Sequence, residues 1–267
     1  MIRLQRKIPN DLQDFIAYFT RNLVNEFGDI ISGIYIYGSL AMSAYHEGTS
    51  DIDFIVLLRK EMTAEELIRL KRVHEKTNDE SHYGKQLDGM YLQLTDISKN
   101  SSKLSPYPYC SDGKITTGHY DVNAVTWWTL KHHGIALYGI PSEKLEIEVK
   151  WTDIEENMKG NINHYWSGKL KKPYLFLSAE MAEFTILTLC RIICSLETKE
   201  IVSKIEAAER LLLKLPEKWH RIMKEGIIIK NQEESLYKNR LHRAIDCHGF
   251  LKYAIEYCQL HYFREQK

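Results

Sequence analysis

The chain has 267 residues, enough for one large domain or two with separate cores, and its 36 Lys and Arg balance its 36 Asp and Glu, so the formal net charge is zero. A neutral chain has no global field to recruit nucleic acid, and outside "SGKLKKPY", residues 167–174, which reads as a loop, no lysine-rich or aromatic-basic stripe appears. The start "MIRLQRKIPNDLQDF" lacks an apolar signal core and no run approaches about 18 apolar residues, so the expectation is a cytoplasmic protein with no membrane partner.

In chain order, Leu12, Phe15, Ile16, Phe19, Leu23 and Phe27 recur at helical spacing between a candidate N-cap, Asn10, and Gly28. "GIYIYGS" then reads as a short strand, Ile34 to Tyr37, which breaks at Gly38 and delivers Ser39 to a turn before a short helix. Glycine lets backbone approach a phosphate closely, and the Ser39 hydroxyl can bond a phosphate oxygen. "SDIDFIVLL" follows as a second strand. Asp51 and Asp53 lie two apart, so they share one face while Ile52 points to the other. Two carboxylates aimed at one spot raise each other's pKa unless a cation joins them, and Mg2+ suits hard oxygen ligands.

Thr63 and Glu66 stand at capping-box spacing and open a helix that crosses to a third strand, "LDGMYLQL". Asp88 begins that strand, either as a turn residue or as a third carboxylate beside Asp51 and Asp53; Asp96 follows the apolar run and fits a turn. Residues 96–118, rich in Ser, Pro, Gly and Asp, read as a long loop. A helix then runs to Gly134 with Trp127 and Trp128 as core residues and His132-His133 at its end, followed by a strand, Ile135 to Tyr138. Beyond about residue 153 the pattern is helical only. Five cysteines, with no Cys-x-x-Cys among them, read as reduced, several of them in the core.

The order strand, Gly-Ser, short helix, Asp-x-Asp, strand resembles the nucleotidyltransferase superfamily that includes DNA polymerase β. With "LKHHGIALYG", and with "ILTLCRIICSLETKEIVSKIEAA" in the helical half, nearly the whole chain is similar to the aminoglycoside nucleotidyltransferases, in particular the streptomycin and spectinomycin adenylyltransferase branch. That resemblance implies an α+β architecture: a nucleotidyltransferase domain over residues 1–153, with a mixed sheet flanked by helices, then an all-α helical bundle over 154–267. It implies a monomeric enzyme that transfers AMP from ATP to a hydroxyl of an aminoglycoside or aminocyclitol, releases pyrophosphate and confers resistance.

Carried onto this sequence, it makes Asp51 and Asp53 magnesium ligands, Asp88 the base, and Gly38, Ser39, Ser50 and Lys204 the nucleotide contacts. Glu180 and Glu183 are the carboxylates available to a cationic drug, and Trp166 falls near a tryptophan of streptomycin-handling members. The chain departs from the pattern in having Asp for Glu at 88 and Gly118-His119-Tyr120 for the Gly-Glu-Trp that precedes the position of Asp121. The alternatives are an enzyme of the same fold acting on protein, RNA or another small molecule, as in toxin-antitoxin systems, and a non-catalytic nucleotide sensor.

Overall fold

A computed structural model describes residues 8–120 and 122–263. The chain folds as two compact units, Met1–Val149 and Lys150–Lys267.

The first unit opens with α1, Asn10–Phe27, whose six periodic apolar residues are all buried; Pro9, not Asn10, occupies the N-cap position. Strand β1, Ile31–Ile36, leads into α2, Gly38–Ala41, a single helical turn. Then come β2, Ile52–Leu58, and α3, Ala64–Glu80, whose capping box between Thr63 and Glu66 is formed as expected. Strand β3 spans Leu87–Gln93. The segment expected to be a loop instead holds a hairpin, β4 Tyr107–Ser111 and β5 Lys114–Gly118. Its turn is Asp112-Gly113, both with positive φ (50° and 71°), the backbone shape that closes a two-residue hairpin. Helix α4, Ala124–His133, and β6, Ile135–Tyr138, complete the unit.

The six strands form one mixed sheet in the order β5-β4-β3-β2-β1-β6, in which only the central β2–β3 pair is parallel. Strict alternation splits its core. Ile52, Phe54, Val56, Leu87 and Tyr91 face α1 and α3, whereas Ile55, Leu57, Met90 and Leu92 face Trp127 and Leu130 of α4. Central strands covered on both faces read as near-continuous apolar runs, as "FIVLL" does. Trp127 is fully buried and its indole N–H donates to the Lys99 carbonyl at 2.7 Å. Trp128, expected in the core beside it, is half-buried and lies against His132, ring centroids 4.1 Å apart.

In the second unit, α5, Trp151–Gly160, continues through a wide helical turn, Asn161–Trp166, into α6, Ser167–Lys169, so part of the stretch read as a loop is helical. Helices α7, Ala179–Thr198, α8, Lys204–Leu212, α9, His220–Lys230, and α10, Arg240–His261, make the bundle, with α7 packed against the other three. Ser178 and Ser203 cap α7 and α8 by accepting backbone N–H groups. The buried Glu225 carboxylate accepts from Ser235 Oγ and the Leu236 N–H, and Arg243 lies 3.7 Å away, which ties the irregular segment before α10 to α9. All five cysteines are free and buried. Among the described residues no helix is long and apolar enough to cross a membrane.

Candidate active site

The Gly-Ser turn and the Asp-x-Asp strand meet at one end of the sheet. The Tyr37 N–H donates to the Asp53 carbonyl at 3.0 Å, which carries the β1–β2 ladder one residue past β1 and places Gly38 beside Asp53. Gly38 has φ +64°, and a β-carbon on it would stand 2.6 Å from the Asp53 carboxyl carbon. Glycine is therefore required twice, by backbone conformation and by the space that the carboxylate occupies.

Parallel register sets Asp53 of β2 opposite Asp88 of β3. By alternation both lie on the face of Ile55, Leu57, Met90 and Leu92, at the start of their strands, while Ile52 is buried on the other face. Asp51 is exposed just ahead of β2, and Asp53 and Asp88 are half-buried. The structure thus gathers Gly38, Ser39, Asp53 and Asp88 at one edge, with Asp51 two residues from Asp53. The charge of Asp51 reaches two phenols: it adds to burial and to Glu47 and Asp11 in pushing Tyr45 up to about 12, and it contributes to the raised pKa of Tyr120.

Other expected contacts sit differently. Ser50 is buried, and its Oγ accepts the His46 N–H at 3.0 Å, which closes the turn that delivers Asp51. Trp166 is fully buried with its ring against Phe184 and Tyr165, which makes it a core residue of the helical unit, not a surface for substrate. The Lys204 ammonium lies over the Phe184 ring, 5.0 Å from its centroid. Glu180 is exposed in the first turn of α7, and Glu183 is half-buried one turn further on.

Sequence reasoning missed an aromatic group on the hairpin side. The Tyr120 hydroxyl donates to Asp88 Oδ2 at 2.7 Å, and its ring stacks on Tyr109, centroids 4.5 Å apart and 8° from parallel. Burial first, then the Asp88 hydrogen bond and charge, raise the Tyr120 pKa. Tyr120 was visible only as the end of Gly118-His119-Tyr120, and Asp121 lies outside the described residues. The dipeptide Asp112-Gly113 was the available signal for the hairpin that carries Tyr109.

Two family models match the chain: a nucleotidyltransferase domain over residues 20–95, and the aminoglycoside adenylyltransferase C-terminal domain over residues 173–251. The chain thus joins a nucleotidyltransferase domain to an aminoglycoside adenylyltransferase C-terminal domain. This nucleotidyltransferase is 27% identical over 228 residues to a spectinomycin 9-adenylyltransferase of Staphylococcus aureus, a match covering 79% of this chain and 80% of that protein. A spectinomycin 9-adenylyltransferase of Campylobacter jejuni is 27% identical over 207 residues, covering 71% of this chain and 74% of that one. The fold is shared with a spectinomycin adenyltransferase from Enterococcus faecialis solved with ATP and spectinomycin, at TM-score 0.69 and 15% identity over 91% of this chain and 99% of that one.

Among the described residues no three His, Cys, Asp or Glu side chains form a ready-made metal cage. Two neighbouring carboxylates are nevertheless enough protein ligands for Mg2+ in general, since that ion keeps several waters and completes its shell with substrate phosphates. The hard oxygen donors of Asp51 and Asp53, exposed and half-buried at the start of β2, suit such an ion.

Proposed function

We propose that this enzyme transfers AMP from ATP to a hydroxyl of an aminocyclitol or aminoglycoside of the spectinomycin or streptomycin type, releases pyrophosphate, and so confers resistance. The observation that carries the reading is the register that sets Asp53 opposite Asp88 beside Gly38. The match of the helical half to the aminoglycoside adenylyltransferase C-terminal domain supports a drug as acceptor over RNA or protein.

In this reading Gly38 and Ser39 receive the triphosphate at the turn, where glycine keeps the backbone low enough for phosphate to approach. Asp51 and Asp53 would hold Mg2+, which when bound neutralises the negative charge that develops on phosphate oxygens. Asp88 takes the proton of the attacking hydroxyl, a role that needs heavy-atom approach of about 2.6–3.2 Å.

Purified protein incubated with ATP, Mg2+ and spectinomycin or streptomycin tests this. Pyrophosphate release that depends on one of these drugs, with a matching AMP adduct on the drug in mass spectrometry, is the expected result. Transfer to RNA or protein, with none to either drug, would contradict it.

A further inference from the structure

Tyr120 is held more tightly than a chance neighbour of Asp88 requires. The Tyr107 hydroxyl clamps its backbone from both sides, donating to the Tyr120 carbonyl at 2.6 Å and accepting the Tyr120 N–H at 2.7 Å. The flat stack on Tyr109 fixes the ring plane. Tyr107 and Tyr109 are alternate residues of β4, so a single strand face supplies both the clamp and the stack. The phenol donates to the carboxylate of Asp88, through Oδ2 at 2.7 Å.

We infer that Tyr120 is a positioning residue for Asp88: its hydroxyl fixes the orientation of the carboxylate that receives the acceptor's proton. The inference rests on the reading of Asp88 as base. Aspartate has two side-chain torsions, and its terminal torsion is broad and roughly two-fold, so an unsupported carboxylate samples many orientations. A phenol already locked by β4 selects one of them without itself needing to be ordered during the reaction. That is the arrangement expected where proton transfer depends on alignment, because misplacement of about 1 Å can cost about a hundredfold in rate.

Tyr120→Phe keeps the ring and its stack and removes only the hydroxyl. With whichever of spectinomycin and streptomycin is turned over faster, kcat should fall about 10- to 100-fold, the scale for losing a hydrogen bond to a charged group. KM for ATP and for drug should change by less than about threefold. In an Asp88→Asn background the same substitution should cost nothing further, since the group it orients no longer acts. Wild-type kcat in Tyr120→Phe while Asp88→Asn is severely impaired, or multiplicative losses in the double variant, would overturn the positioning role and leave Asp88 as base. Wild-type kcat in Asp88→Asn would overturn the reading beneath it as well.

Discussion

Gly38 and Asp53 share one space: the position that a side chain on residue 38 would fill is taken by the Asp53 carboxylate. The Gly-Ser turn is therefore shaped by the acidic strand next to it as much as by any phosphate. Gly38→Ala forces a β-carbon into φ +64° and displaces Asp53. Nucleotidyl transfer should drop at least about tenfold while far-UV circular dichroism stays unchanged, because the site is disturbed and the two cores are not. Full activity in the alanine variant would show that the turn and the carboxylate move independently.

Behind the site, a buried chain joins three elements of the first unit. The Cys110 thiol donates to the Leu87 carbonyl at 3.3 Å, so the His74 Nδ1–H donates to Cys110 Sγ at 3.4 Å and Nε2 accepts from the Tyr91 hydroxyl at 2.6 Å, an assignment made from the partners. Burial pushes the His74 pKa from 6.5 down to about 3. Between those values the unfolded chain binds a proton that the folded chain refuses, so this residue's stability contribution is present above about 6.5 and is lost as pH falls toward about 3. The His74 imidazole resonances should stay at their neutral positions in NMR spectra from pH 7.5 down to about pH 4, which is below the ordinary histidine range. A midpoint near 6.5 would refute the buried neutral chain.

Glu66 has the opposite sign. The Thr63 N–H, first, and then Lys60 hold its carboxyl at about 2 rather than 4.5. Its contribution is full above about 4.5 and is lost as pH falls toward about 2. Removing half of the capping box by Glu66→Ala should cost about 1 kcal/mol at pH 7. In denaturant titrations the gap from wild type should narrow from pH 4.5 to pH 3; a gap constant over that range would show that the carboxylate charge plays no part.

What the sequence revealed about the site was what strand alternation and a Gly-Ser break can encode. Asp51, Asp53 and Asp88 could be placed because two-residue periodicity assigns a face to each residue once a strand is recognised. The hairpin β4–β5 was hidden because Pro108 and the many polar residues around it mask the alternation, although Asp112-Gly113 announces the turn. Tyr120 follows β5 outside any regular element, so no periodicity could point it at Asp88; only the fold brings residues 32 positions apart to 2.7 Å. Ser50 and Trp166 show the converse. Their positions relative to motifs suggested a phosphate contact and a drug contact, and tertiary packing buries both side chains.

The central claim is that the carboxylates at the start of β2 serve phosphoryl chemistry. Its most direct measurement is drug-dependent pyrophosphate release by Asp53→Asn, compared with wild type at saturating ATP and Mg2+. The substitution keeps the size of the side chain and removes its charge, so turnover should fall below about a tenth of wild type with the fold intact. Turnover above that level in a variant with an unchanged melting temperature would contradict the assignment of Asp53 and, with it, the proposed site.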